Sequence, residues 1–94
     1  GLGGEAAGKV GIKLHSLSSA YQVICVTHLP QIASIADTHF LLYKSDTGGR
    51  VVSLIKELHG EDRIMEISRM LEGEERSRAS RELAVEMLGN RIEK

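Results

Sequence analysis

Apolar residues along the chain change their spacing several times, and each change marks a predicted element. Residues 5–19 place apolar side chains at helical intervals, which predicts an amphipathic helix with a stripe of Ala6, Val10, Leu14 and Leu17. Residues 22–27 are almost continuously apolar instead. A strand over these residues would be apolar on both faces, which is typical of a buried, central strand of a parallel sheet.

Pro30 and a polar turn organise the middle of the chain. The first turn of a helix tolerates proline because its missing N–H has no partner there, so Pro30 predicts a short helix over residues 30–36. Two apolar stretches, 38–44 and 50–58, flank a turn at 45–49 that is rich in Asp and Gly. This arrangement predicts a β-hairpin.

Helical spacing returns in the last third of the chain. Ile64, Ile67 and Leu71 predict a helix that Gly73 ends. A final helix is predicted over residues 76–88, with Gly89 as its stop and one face formed by Ala79, Leu83 and Met87. The three methionines are predicted to fill the core: Met65, Met70 and Met87.

The order helix, strand, helix, hairpin, helix, helix predicts an incomplete α/β fold. A helix that enters a buried strand implies a partner strand upstream, as in the first half of a βαβ crossover. A lone buried strand cannot satisfy its backbone hydrogen bonds. We therefore expect residues 1–94 to form a single partial domain, the C-terminal part of a larger α/β domain with one buried strand, a β-hairpin and about four helices.

Composition narrows the possible classes of protein. The 94 residues carry a formal net charge of -1, which gives no global sign of a nucleic-acid or membrane surface. No apolar run approaches the roughly 20 residues of a membrane span. The single cysteine, Cys25, cannot form an internal disulfide, so we expect a reducing cytoplasm and a small, buried, apolar role for this residue.

Residues 3–10 contain a candidate phosphate-binding loop. They match the pattern Gly-x-x-x-x-Gly-Lys, with Lys9 in the lysine position, but Val10 stands where a Ser or Thr would bind Mg²⁺. The predicted helix also covers these residues, and no predicted strand leads into them. We favour Lys9 as a solvated helix residue, with a small P-loop enzyme as the competing hypothesis.

His28 is the stronger candidate for chemistry. It follows the predicted strand 22–27, at the edge where ligands gather in open α/β sheets. It also precedes a predicted helix N-terminus, which favours anions. A neutral imidazole there can bind a terminal phosphate or orient a water molecule. The alternative is a histidine that merely caps the turn.

The remaining polar residues give weaker indications. Cys25 and His28 are three residues apart, but no second pair has the spacing of metal ligands, so no metal site is predicted among these and His15, His39 and His59. The arginines of the last helix interleave with glutamates, which favours a solvated face over a DNA-binding one: Arg76, Arg78 and Arg81 with Glu74, Glu75 and Glu82.

Three stretches carry a family resemblance. Val-Thr-His-Leu-Pro-Gln-Ile-Ala, followed by Ala-Asp-Thr-His-Phe and a hairpin, resembles the ABC-type ATPase head, a P-loop NTPase fold. Together with Gly-Leu-Gly-Gly-Glu-Ala-Ala and Ile-Met-Glu-Ile-Ser-Arg-Met-Leu, it resembles more closely the C-terminal part of the RecN family. These are bacterial double-strand-break repair ATPases related to SMC proteins. The resemblance covers nearly the whole chain.

The resemblance implies roles for particular residues. His28 matches the switch histidine, which contacts the γ-phosphate and helps hold the attacking water. Gln31 lies one turn beyond His28 and is expected to support the same pocket. The D-loop region, which faces a second head in an ATP-dependent dimer, corresponds to Gly1, Leu2, Gly3 and Gly4. The complete protein is expected to bind ATP, Mg²⁺ and DNA in the cytoplasm, associated with the nucleoid and without a membrane.

The departures from the family pattern limit what this chain does alone. Walker A, the signature motif and the Walker B acidic residues lie upstream in the family and are absent here. We therefore expect the chain neither to bind nor to hydrolyse ATP without the remaining N-terminal part of the head. The alternative function is a non-catalytic α/β interaction module that joins a partner through an open sheet edge.

Overall fold

The computed structural model describes residues 3–73 and 77–90. These residues form an α/β structure with one antiparallel hairpin and four helices, which confirms the predicted class at that level. The elements, in chain order, are α1 (Gly4–Leu17), α2 (Pro30–Ala33), β1 (His39–Thr47), β2 (Arg50–Leu58), α3 (Gly60–Glu72) and α4 (Arg78–Gly89). Gly1, Leu2 and Arg76 lie outside the described residues, as do Glu74 and Glu75.

The core lies between α2, α3 and α4. Ile67 is completely buried and packs with Ala33 and Ala84. Partly buried side chains surround this cluster: Ile64, Met70, Leu71, Met87 and Leu88. Met65 is exposed instead, so the prediction that all three methionines fill the core is wrong for that residue.

The fully buried residues of α1 and α4 are small and lie outside the predicted stripes, although Met87 of the predicted α4 stripe does pack against the core. On α1 the buried residues are Ala7 and Gly11, whereas Val10 is exposed. A Cβ atom at Gly11 would lie 2.7 Å from Cδ1 of Ile35, so glycine allows α1 to approach α2 closely. On α4 the buried residues are Ser80 and Ala84, one position beyond the predicted Ala79 and Leu83.

The hairpin is longer than predicted and its turn is shorter. Its register runs from His39↔Leu58 to Thr47↔Arg50, so three residues of the predicted turn belong to β1: Ser45, Asp46 and Thr47. Gly48 and Gly49 alone make the connection, with φ of 60° and 79°. Two successive positive φ values match the twist of an antiparallel pair, and glycine adopts them without strain.

The predicted buried strand over residues 22–27 does not form. These residues adopt neither helix nor strand, and no backbone–backbone hydrogen bond joins residues 22–26 to other parts of the described chain. Ile24 is 84% exposed and Val26 is 96% exposed. The prediction of a buried Cys25 is also wrong, because its side chain is exposed. A strand needs a neighbour, and β1 and β2 pair with each other.

The helix at Pro30 is a single turn. Pro30 is buried at its first position, as the sequence predicts, but α2 ends at Ala33 and the chain continues through turns to residue 36. Among the described helices none is both long and apolar enough to cross a bilayer.

Candidate functional site at the His28 corner

His28 lies where the irregular segment 22–27 turns into α2. The Leu29 N–H donates to the Thr27 Oγ1 at 3.0 Å, so the Thr27 hydroxyl closes this turn. Pro30 then starts α2 with a fixed φ. The His28 side chain is exposed, and no hydrogen bond or ion pair engages it within residues 3–73 and 77–90. Thr27, and not His28, therefore caps the turn.

An apolar groove of about 950 Å³ opens beside His28. Its lining comprises residues 21–28, residues 35–42 with Ile55 of β2, and parts of α1, α2 and α3. Leu42 and Ile55 are directly paired across the hairpin and share a face with Phe40. All three side chains are more than half exposed. The groove wall thus displays aliphatic and aromatic surface to solvent.

The described part of the D-loop region meets Gln31. Gly3 is the N-cap of α1 and Gly4 is its first residue. A Cβ atom at Gly4 would lie 3.2 Å from Nε2 of Gln31, which places the start of α1 against α2 one turn after His28. The structure therefore brings Gly4 and Gln31 together beside the His28 corner. Gly1 and Leu2 belong to the same predicted region but lie outside the described residues.

Residues 3–10 do not form a phosphate-binding loop. Gly8 and Lys9 lie inside α1, and the Ala7 N–H donates to the Gly3 carbonyl at 2.9 Å in the first turn. The Lys9 Nζ is 3.7 Å from a Glu5 carboxylate oxygen, and both side chains are largely exposed. Lys9 lies inside α1 with its side chain exposed, and no loop wraps around a phosphate position there, so the interpretation of Lys9 as a solvated helix residue is confirmed.

Charged residues of α4 also belong to the surface. The Arg81 Nη2 lies 2.6 Å from the Glu61 Oε1 of α3, and both side chains are about half exposed. Arg78 and Glu82 are exposed as well. This arrangement agrees with the solvated face that the alternating charges predict.

Two buried histidine nitrogens line the groove below His28. The His15 Nε2 and His39 Nδ1 are buried, and neither has a hydrogen-bond partner among the residues that the structure describes. Burial lowers the pKa of His39, the nearby Arg63 guanidinium lowers it further, and Glu66 opposes both effects. His39 is therefore a neutral imidazole at pH 7. Among the described residues no group of three or more His, Cys, Asp or Glu side chains is placed to hold a metal ion.

Comparison with known proteins decides the family. No protein-family model matches the chain. The DNA repair protein RecN of Streptomyces coelicolor is 46% identical over 88 residues, which cover 94% of this chain. The DNA repair proteins RecN of Halalkalibacterium halodurans and Bacillus subtilis are 39% and 38% identical over the same share of the chain. The chain belongs to the RecN family. It spans 15% or 16% of the length of these RecN proteins.

One site residue of this RecN-family chain was missed in the sequence. The Arg63 guanidinium of α3 is buried and donates to carbonyl oxygens at the end of α2, at 2.7 Å from Ala36 and 3.2 Å from Ala33. The available signal was its spacing, because Arg63 precedes the buried Ile67 by four residues and so shares the apolar face of α3. A charged residue on such a face requires a buried partner.

Proposed function

We propose that this RecN-family chain is the C-terminal part of an ATP-binding and ATP-hydrolysing head in a bacterial DNA double-strand-break repair protein. In this proposal His28 is the switch histidine, Gln31 supports it, and residues 1–4 face a second head. DNA is bound through the complete protein in the cytoplasm, at the nucleoid. The observation that carries the proposal is the exposed His28 imidazole, which no hydrogen bond or ion pair engages in the described part of the chain, on a turn that Thr27 and Pro30 fix.

The geometry of the corner suits a group that acts on a phosphate from outside this chain. A neutral imidazole has one donor and one acceptor nitrogen, so it can hydrogen-bond a phosphate oxygen or an attacking water molecule. Phosphoryl transfer depends mainly on such positioning and on charge stabilisation. The imidazole of His28 keeps both nitrogens available because the turn takes its hydrogen bond from Thr27.

ATP and Mg²⁺ fit the described residues only in part. His28 offers a contact for the terminal phosphate, but residues 3–10 are helical and supply no phosphate loop. The exposed apolar groove supports the proposal that the partner of this chain is the remaining N-terminal part of the head. Strands from that part would cover Ile24, Val26 and Leu42, and burial of each such side chain contributes about 1.5–3 kcal/mol.

The central test is His28→Ala in the complete protein. We expect nucleotide affinity to stay unchanged and ATP turnover to fall by about 10²-fold or more, because a positioned catalytic group is lost. The matched control is His59→Ala, which removes an exposed imidazole near Glu57 and outside the groove. Equal turnover by His28→Ala and the unmodified protein would refute the role of His28.

The isolated chain gives a second test by isothermal titration with MgATP. We expect no binding heat, because the phosphate loop and the Mg²⁺ ligands of the proposed site come from outside this chain. Binding at micromolar concentrations would contradict the composite site.

The exposed groove also favours the alternative, a non-catalytic α/β interaction module. A partial head should oligomerise or aggregate through its unpaired apolar surface, whereas an autonomous module should remain a monomer with a sharp unfolding transition. Analytical ultracentrifugation with thermal unfolding separates the two functions. Restoration of a monomeric complex by the remaining part of the head would support the ATPase head.

A further inference from the structure

The position of His28 depends on α2, and α2 cannot hold itself in place. It comprises four residues, Pro30–Ala33, with few backbone hydrogen bonds of its own. Helices this short are unstable in isolation because nucleation is costly. Contacts from neighbouring elements must therefore fix α2 and the turn at His28.

α1 supports one side of α2. Gly11 lets the α1 backbone approach Ile35 and the Gln31 carbonyl, where an added Cβ atom would lie 3.1 Å from that oxygen. Gly4 contacts the Gln31 side chain in the same way. These contacts limit how far α2 can move toward α1, but they do not fix its rotation about its own axis.

α3 supports the other side through Arg63. Its Nη2 lies 2.7 Å from the Ala36 carbonyl oxygen, 3.2 Å from that of Ala33 and 3.5 Å from that of Ser34. These carbonyls belong to the last residue of α2 and to the turn that follows it, where a positive charge is favourable. Arg63 is 8% exposed, so these hydrogen bonds act in a poorly solvated environment.

The same guanidinium is tied to the core of the molecule. Arg63 precedes the completely buried Ile67 by one turn of α3, and Ile67 packs against Ala33 of α2. A polar link and an apolar contact, one turn apart on α3, thus define both the position and the rotation of α2. The opposite end of α2 begins at Pro30, two residues after His28.

We propose that Arg63 is a positioning residue for the reaction: through α2 it sets the orientation of the His28 imidazole. This inference rests on the proposed function of His28. In this inference Arg63 itself contributes no contact to the nucleotide. It acts by preventing rotation of the α2 turn, so its loss should slow the chemical step and leave the affinity for nucleotide unchanged.

The test uses Arg63→Lys in the complete protein. Lysine keeps the charge, but its shorter side chain ends about one bond before the Nη2 position from which Arg63 makes all three contacts. We expect kcat for ATP hydrolysis to fall by about tenfold to a hundredfold, the cost of a small misplacement of a reacting group. KM for ATP should stay unchanged. Arg81→Lys, on the exposed face of α4, is the matched control and should leave kcat unchanged.

A double-mutant cycle separates positioning from a general structural role. If Arg63 acts through His28, then Arg63→Lys should cause no further loss of kcat in a His28→Ala background. Additive losses, or a parallel change in kcat and KM, would overturn the inference. Arg63→Gln, which retains two N–H donors without the charge, replaces Arg63→Lys if that variant does not fold.

The same cycle distinguishes failure of the inference from failure of the proposed function. No effect of His28→Ala would remove the proposed function and this inference with it. A strong effect of His28→Ala combined with unchanged kcat for Arg63→Lys would overturn the role of Arg63 alone.

Discussion

The α3–α4 pair and the groove walls contain similar aliphatic residues in opposite environments. Ile67 of α3 is 0% exposed, whereas Val26 in the groove wall is 96% exposed. In the helical pair, polar groups are also matched: the Ser68 and Ser80 hydroxyl oxygens lie 2.7 Å apart, and Ser77 and Ser80 form a capping box. The groove side has apolar surface without a cover from the described residues.

The difference follows from where each element finds its partners. α3 and α4 are neighbours in sequence, and their side-chain hydrogen bonds join residues 12 and 20 positions apart, so a short segment of the chain is sufficient to form the pair. A buried strand depends on backbone partners that come from other strands. Residues 22–27 have the composition of such a strand but remain irregular. An apolar composition therefore indicates that these residues require burial, but burial itself depends on a partner element.

The largest stability effect should come from Ile67→Ala at the centre of the helical pair. Removal of a completely buried isoleucine side chain should reduce the free energy of unfolding by about 2–5 kcal/mol. Urea denaturation followed by circular dichroism measures this loss. The matched control is Ile12→Ala, since Ile12 is 57% exposed on α1, and it should change the free energy by less than about 0.5 kcal/mol. Equal losses would contradict the assigned core.

A smaller effect should appear as pH dependence from His39, at the base of the groove. Burial, aided by Arg63, lowers the pKa of His39 in the folded chain below its ordinary value of 6.5. The unfolded chain therefore binds more protons near and below that pH, so folding stability should decrease as the pH falls through 6.5.

Urea unfolding at about pH 7.5 and about pH 5.5 tests this dependence, with His39→Gln as the comparison variant. The unmodified chain should lose more stability between the two pH values than the variant, whose side chain does not titrate. Comparing the change in unfolding free energy between the two pH values within each protein removes any effect of the substitution that does not depend on pH. Identical pH dependence would contradict a lowered pKa of His39 in the folded chain.

The smallest effect should come from Ile24→Ser in the groove wall. Ile24 is 84% exposed in this chain, so we expect a change in unfolding free energy within about 0.5 kcal/mol. In the complete protein, where strands of the proposed head cover this residue, the same substitution should cost more than about 1.5 kcal/mol. A large loss in the chain alone would show that Ile24 is already packed and would remove the contrast between the two regions.

The sequence predicted elements whose determinants are local. Ile67 and Gly73 locate α3, and Gly48 with Gly49 locates the hairpin. The predicted turn was too long because cross-strand pairing extends β1 through Thr47. The fully buried positions on α1 and α4 lie one residue beyond the predicted ones, since small residues replaced larger apolar ones such as Val10 and Leu83, whereas Met87 packs against the core as predicted.

The candidate site was predicted in part. The sequence located the turn at His28 and the neighbouring Gln31, and the structure places Gly4 against Gln31. The sequence did not reveal the role of Arg63. Its spacing from Ile67 places it on the apolar face of α3, but its hydrogen-bond partners lie 27 and 30 positions away and are not visible in local spacing. Cys25 was misplaced for the converse reason: the strand expected to bury it is not formed by the described residues.

The two-glycine connection between β1 and β2 has a consequence for biosynthesis. A hairpin with such a tight connection can form within about 1–10 μs, far faster than the ribosome adds one residue at about 5–20 per second. β1 and β2 can therefore pair while α3 and α4 are still being translated. The pair would then present Phe40, Leu42 and Ile55 to chaperones or to earlier parts of the same polypeptide before synthesis ends.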